Sequence, residues 1–357
     1  MLIAETIKGT VINVVGLTRT ALETLQRTET FRCPQCKAPV QLKIGTVITP
    51  HFAHKVASSC RELFTEGESE EHLRGKTQLY EWLKTRVNHV WLEPTIKNFS
   101  QRPDILVLHN NHYYALEFQC SAIKTALLEK RNAGYAKANI TPIWIFNTPK
   151  FAYYQGVVQQ RLRKMYQYTL PHTIFYSPTT KKFTYATFLY RLYHNQFLMR
   201  LAQVSLDRQV FPLYQPKPLR KTQAEAYSRS YTSGYKRFLH NCIRYPRGNS
   251  AKRLRRCTNG LYLSFSELNR SFPVFLPHTL GADVVWQTEL ALYCKEQKIW
   301  IEEVEPAHFL TTFSYIVSDD NCKAIRYYCE NIKGISAYTL TELFAISHLQ
   351  WENKTDN

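Results

Sequence analysis

From Met1 to Val15 apolar and polar residues alternate around Lys8-Gly9, the pattern of two short strands and a turn, and Thr18 is placed to cap a short helix over Thr20–Arg27. A Cys/His-rich stretch runs on to Cys60. The period then changes: Ser69 to Val87 carries Leu79, Leu83 and Val87 on one helical face, with Ser69 as the N-cap. Three strand-like runs follow, Val90–Ile96, Pro103–His109 and His112–Gln119, the last two separated by Asn110-Asn111. Asparagine tolerates positive φ, so this pair predicts a tight hairpin. Ile123–Ala138 is helical again, and Ile140–Asn147 is apolar on consecutive residues, as a strand covered on both faces is. The predicted order is α-β-β-β-α-β. Beyond Pro149 the pattern reads as mostly helical, interrupted at the proline-rich Phe211–Leu219 and at Arg247-Gly-Asn-Ser, with no internal repeat.

With 357 residues, 44% hydrophobic and 21% charged, the chain has the material for two or three domains and is not disordered as a whole. We expect residues 1–60 to form a β-hairpin with a Cys/His segment, 61–150 the α/β domain, and 151–357 a mostly helical region. No apolar run approaches the roughly 18 residues needed to span a bilayer. The first residues read as strands, not as a cleavable signal, so the expectation is a cytoplasmic protein. Nine cysteines at irregular spacing point to thiols and metal ligation, not to a disulfide framework.

The formal net charge of +18 is unevenly spread. Residues 1–150 hold 19 basic and 13 acidic side chains, residues 151–270 hold 21 and 3, and residues 271–357 hold 6 and 12. The middle segment alone matches the whole excess, and it also holds 22 of the 48 aromatics. A polyanion is the expected partner, and aromatics among cations suit stacking on unpaired bases. A solvated basic face over an aromatic core has the same composition, and an anionic membrane surface is the other polyanion class.

Cys33-Pro-Gln-Cys36 is followed by His51-Phe-Ala-His54, two paired-ligand knuckles able to close on one tetrahedral zinc. A metal cross-link suits a short segment with little core of its own. His-x2-His is tighter than the usual zinc-finger spacing, which leaves two ligand sets: both histidines, or one of them with Cys60 while the other supports the site from outside. Reduced cysteines beside exposed histidines are the plain alternative.

Arg102-Pro-Asp104 and Glu117-Phe-Gln119 lie on the two arms of the predicted hairpin. With Asn110 and Asn111 as the loop, counting outward sets Asp104 opposite Glu117, with Cβ atoms roughly 4.5 to 5.5 Å apart. Two carboxylates so close repel each other unless a cation or a shared proton lies between them. Mg²⁺, or Mn²⁺ in its place, suits such a pair, and beside a basic chain this suggests metal-assisted phosphodiester cleavage. Two ordinary acids on an exposed hairpin are the bland reading. Gln119 shares the Glu117 face. In the preceding helix Glu68, His72 and Lys76 follow i, i+4, i+8, and the last two share the stripe of Leu79 and Leu83. Polar groups on that stripe need partners, whether core hydrogen bonds, a snorkelling path or a site.

At these residues the sequence resembles the competence protein CoiA family. The resemblance rests on Phe31-Arg-Cys-Pro-Gln-Cys36, Pro50-His-Phe-Ala-His54, Glu68-Ser-Glu-Glu-His72 with Lys76, Arg102-Pro-Asp104, Glu117-Phe-Gln119-Cys-Ser121, and Arg131 with Tyr135. It covers residues 1 to about 150. The family is similar to the PD-(D/E)XK, restriction-endonuclease-like nucleases. That implies an α/β nuclease core in which Asp104 and Glu117 bind metal and Glu68, or Glu71, is the acid of the first helix. It implies processing or recombining of single-stranded or branched DNA, with recombination proteins as partners. The superfamily lysine is replaced by Gln119, which brings no positive charge, so catalysis is expected to be weaker unless Lys76 enters as a substitute cation. Arg131 and Tyr135, one turn apart, contact phosphate or brace the strand pair. With Arg102 and the basic run Lys252, Arg253, Arg255 and Arg256 they are the expected DNA contacts. Three functions stand: a Mg²⁺-dependent endonuclease, a non-catalytic nuclease-fold platform for DNA and recombinase, and a zinc-stabilised adaptor whose acidic segment docks a protein.

Overall fold

Alternation at the amino end builds a small antiparallel sheet. Its strands β1 (Ile3–Thr6), β2 (Val11–Asn13), β3 (Phe31–Arg32), β4 (Pro39–Lys43) and β5 (His51–His54) are ordered β2-β1-β3-β4-β5. Leu2, Ala4, Phe31, Val40, Leu42 and Phe52 turn inward. Helix α1 (Arg19–Thr28) starts where Thr18 accepts a hydrogen bond from the Ala21 amide. The computed structural model describes residues 1–45, 48–55, 68–96, 101–121, 123–149, 153–154, 157–161, 173–193, 196–213, 221–268, 272–274 and 278–335. Two compact units divide the chain. Residues 1–149, 173–185 and 203–215 form the first, and residues 150–172, 186–202 and 216–357 the second.

In the first unit the predicted order is found: α2 (Glu70–Lys84), β6 (His89–Leu92), β7 (Ile105–His109), β8 (His112–Gln119), α3 (Thr125–Lys137) and β9 (Ile140–Asn147). β6, β7 and β8 are antiparallel neighbours, and β9 runs parallel to β8. Asn110 and Asn111 both adopt positive φ, 48° and 59°, and His109 pairs with His112, so the hairpin register is the expected one. β6 and β7 are shorter than expected, and Asp104 sits one residue before β7 begins. Gly75 on α2 lies against the Phe118 ring so closely that a Cβ there has no room. The missing side chain lets α2 settle onto β8.

The expectation of helix after residue 150 needs correcting. Strands β10 (Tyr153–Tyr154), β11 (Val157–Arg161), β12 (Thr173–Ser177), β13 (Lys182–Tyr193) and β14 (Gln196–Ser205) precede any further described helix. Thr-Ile-Phe-Tyr at 173–176 and Phe-Thr-Tyr at 183–185 are β-branched and aromatic, the composition that fits a pleated surface, and charge counting concealed it. β12 pairs in parallel with β9, so the α/β unit does not stop at residue 150. Gln209 helps hold α2 in that unit: its carbonyl accepts from Trp82 Nε1 at 3.2 Å and Arg86 Nε at 2.9 Å.

Helix dominates the second unit from Lys221 onward: α4 (Lys221–Arg244), α5 (Asn249–Leu261), α6 (Asp283–Gln297), α7 (Pro306–Thr312) and α8 (Asp319–Ile335). α4 and α5 bury Tyr235, Phe238, Leu239, Ala251 and Leu254 in a common core with Val284 and Val285 of α6. No helix among the described residues is long and apolar enough to cross a membrane.

Candidate active site

Helix α2 begins cleanly because Ser69 Oγ accepts from the His72 amide at 3.2 Å and Glu70 and Glu71 complement the positive end of the dipole. His72 and Lys76, one turn apart on the helix, and Glu68, just ahead of the cap, meet in one place. Lys76 is fully buried, which an ammonium tolerates only among opposite charges. Its Nζ contacts a Glu68 carboxylate oxygen, lies 2.5 Å from Glu93 and 3.5 Å from Asp104. Burial alone works against its charge, but Glu68, Glu93 and Asp104 outweigh it and hold the pKa far above the ordinary lysine value.

Asp104 curls back from the start of β7. Its Oδ2 accepts from the Phe118 amide at 2.9 Å and lies 3.4 Å from His72 Nε2. Although burial pushes its pKa up, Lys76 and then His72 hold this carboxyl well below the usual range. His72 Nε2 is buried without a hydrogen-bond partner, despite its nearness to Asp104. Glu68, His72 and Asp104 offer donor atoms that all lie within 4.8 Å of one another. An imidazole nitrogen facing two carboxylates is a donor set that fits a divalent cation, and Glu68 also pairs through Oε2 with the Met1 ammonium at 2.5 Å. Of the two acids left open for the first helix, Glu68 is the one in this trio; Glu71 is not.

Glu117 is opposite Asp104 in register, but its carboxylate turns the other way along the sheet normal. Phe118 faces α2, so its neighbour faces α3. There Glu117 Oε1 accepts from both Arg131 and Tyr135. Burial pushes its pKa up to about 7, against Arg131 and with a further push from Asp104. The trio therefore forms without Glu117, because an intervening cation is not the only way to satisfy a buried acid. Tyr135 is fully buried and Arg131 also donates to the Arg102 carbonyl at 3.3 Å, so these residues brace the strand pair. Gln119 is turned outward, donating to Ser121 O at 3.0 Å and Oγ at 3.1 Å.

Sequence reading missed Glu93. Only 3% exposed and held at φ +46°, it accepts from the amides of Leu2 at 3.0 Å and Ile3 at 3.4 Å, and Arg102 Nη2 lies 3.3 Å away. Its own amide donates to the Asp104 carbonyl at 2.9 Å. The signal available was an acid closing the apolar strand Val90-Trp-Leu before Pro94, too short to distinguish from chance.

In the N-terminal sheet Cys33, Cys36 and His54 offer donor atoms within 4.8 Å of one another, with Cys36 Sγ 3.4 Å from His54 Nε2. Lys37, at φ 58°, bends the knuckle so that its amide reaches the Cys33 carbonyl at 3.0 Å. His51 is not brought to this cluster: its Nδ1 lies 2.9 Å from the Thr49 carbonyl. The segment is β5, and an offset of three along a strand puts two side chains on opposite faces. Cys60 lies outside the described residues.

The expected DNA contacts of α5 separate. Lys252, Arg255 and Arg256 are exposed, but Arg253 turns inward to Glu289, with Nε at 2.5 Å and Nη2 at 2.6 Å from its carboxylate oxygens, and stacks 4.4 Å from the Tyr315 ring centre.

Comparison with known proteins shows the family. The family model described as competence protein CoiA, nuclease-like domain, matches residues 68–217, and the one described as competence protein CoiA, N-terminal domain, matches residues 14–62. The competence protein CoiA of Bacillus subtilis (strain 168) is 31% identical over 289 residues, which cover 74% of this chain and 71% of that protein. No solved structure matches. Residues 68–217, which hold these acids, the imidazole and the ammonium, form a nuclease-like domain. The chain belongs to the competence protein CoiA family.

Proposed function

We propose that this protein is a divalent-metal-dependent deoxyribonuclease of natural transformation and recombination, with the restriction-endonuclease-like core expected from its sequence, acting on single-stranded or branched DNA. The observation that carries the reading is the convergence of Glu68, His72 and Asp104, whose donor atoms all lie within 4.8 Å of one another. Glu68, His72 and Asp104 hold Mg²⁺ or Mn²⁺, while Glu117, bound by Arg131 and Tyr135, stands outside that trio. When bound, the ion polarises a phosphoryl group and lowers the pKa of an attacking water. Lys76 is the cation beside Glu68 and Asp104, where Gln119 brings no charge. Glu117, with its pKa near 7, holds or releases a proton at neutral pH, and Arg131 and Tyr135 fix its orientation.

The experiment is incubation of purified protein with labelled single-stranded, duplex and branched DNA in Mg²⁺, Mn²⁺ or EDTA. Cleavage that needs the ion and disappears in Asp104→Ala, while DNA binding persists, is expected. Cleavage surviving Asp104→Ala and Glu117→Ala sinks the assignment. One observation favours the alternative of a non-catalytic platform for DNA and recombination proteins: Gln119 is committed to Ser121 and not to the site. Binding without cleavage in every metal tested selects that alternative.

The cluster of Cys33, Cys36 and His54 suits structural zinc, with thiolate and imidazole donors preferred by that ion and a fourth ligand still to be named. Metal analysis should give about one zinc per chain. Exposed Lys252, Arg255 and Arg256 are the DNA contacts we retain on α5, as Arg253 is spent on Glu289.

A further inference from the structure

Three carboxylates surround Lys76, and they are not equivalent. The side chains of Glu68 and Asp104 are 21% and 17% exposed; Glu68 contacts Lys76 through Oε1 and the Met1 ammonium through Oε2 at 2.5 Å, whereas Asp104 Oδ1 stands 3.5 Å from Lys76. The Glu93 side chain is only 2% exposed and receives donors from four directions: the Leu2 amide, the Ile3 amide, Arg102 and Lys76. Such a carboxylate has no lone pair left for a metal, and its charge is the one most fully fixed by the fold. Its main chain is fixed as well, because the Glu93 amide bonds the carbonyl of Asp104. A non-glycine residue at φ +46° is retained only where its surroundings determine it.

We propose that Glu93 is a positioning residue that, with Glu68, holds the Lys76 ammonium off Asp104, so that Asp104 stays open to a divalent cation. This rests on the reading of Glu68, His72 and Asp104 as a cation site. Without the Glu93 charge, the ammonium keeps only Glu68 and Asp104 as counter-ions. It then moves onto Asp104 and competes with the ion there. The N-terminal strand takes part, since the amides of Leu2 and Ile3 hold the carboxylate that holds Lys76. A glutamate outside the motif set thus governs how the site admits its ion.

The test is Mn²⁺ binding to the full chain, read from the electron paramagnetic resonance signal of free Mn²⁺, in four forms: unaltered, Glu93→Gln, Lys76→Met and the double variant. Glu93→Gln is expected to weaken binding roughly 10- to 100-fold. In the Lys76→Met background the same change is expected to shift binding by no more than roughly twofold, because the competitor is gone. A purely structural role predicts equal loss in both backgrounds, and that result overturns the proposal, as does a folded Glu93→Gln that binds Mn²⁺ as tightly as the unaltered chain. If Glu93→Gln does not melt cooperatively, Glu93→Asp takes its place: it keeps the charge but cannot span both the amides and Lys76, so an intermediate loss is expected and no loss overturns the role. An unaltered chain that takes up no Mn²⁺ overturns the site reading itself, which separates the two failures.

Discussion

Cations are held in opposite ways in the two units. Lys76 has no exposure and is shared by three carboxylates, whereas residues 226–266 carry nine Lys and Arg and no Asp or Glu, with Lys252, Arg255 and Arg256 exposed. A buried charge acts at short range in a medium that screens it little, so its effect is local and depends on geometry. Exposed cations act through their summed field and fade beyond a Debye length of roughly 8 Å at physiological salt. Arg253 shows that residue type does not decide which regime applies: it sits in the same basic run as Arg255, yet its helical position points it at Glu289. Under the proposed function the first region places an ion and a proton, and the second attracts and retains a polyanion.

The strongest way to break this contrast is Lys76→Met. It leaves Glu68, Glu93 and Asp104 facing one another without their cation, and the expected loss is about 3–5 kcal/mol of stability, read by urea unfolding. A change near zero would mean that the cluster is already hydrated. Next comes pH. Glu117 has a folded-state pKa raised above its unfolded value, so the native state holds its proton more tightly. Its stabilising contribution is complete below about pH 4.5 and is lost as the pH rises through about 7, a swing on the order of 2–3 kcal/mol that Glu117→Gln should abolish. The carboxyls of Glu68, Glu93 and Asp104, held low, titrate below this window and contribute the opposite slope only in acid.

Within the second unit, Arg253→Ala is expected to cost about 2 kcal/mol, since it leaves the nearly buried Glu289 carboxylate with Tyr315 as its remaining described donor, at 2.7 Å. Arg255→Ala, two residues away, should change stability by no more than about 0.5 kcal/mol. The two variants should differ the other way in DNA binding. Removing Lys252, Arg255 and Arg256 together should lower the slope of log affinity against log salt by about one for each phosphate no longer neutralised, and gel shift across a salt series measures it. An unchanged slope would assign these cations to solvent.

Much of this was legible in the chain. Asn110-Asn111 between two alternating runs fixed the hairpin and hence the opposition of Asp104 to Glu117, because side-chain period and turn length leave only one register that buries Ile105, Val107 and Leu116. Ser69 and the helical stripe put His72 and Lys76 on the core side. Cys33-x2-Cys36 implied a knuckle. Even the inequality of His51 and His54 was open to reading once the segment is taken as a strand, since period two separates them.

The tertiary structure decided the rest. Local pattern specifies which face a side chain occupies but not which distant residue it meets there. That is why the direction of the Glu117 carboxylate toward Arg131 and Tyr135 had to be observed, and why Glu93, joined to Leu2 and Ile3 across 91 and 90 positions of the chain, carried no signal of its own. The return of β12 to pair with β9 belongs to the same class: its residues declare a strand, but a parallel partner is chosen only when the chain has closed on itself.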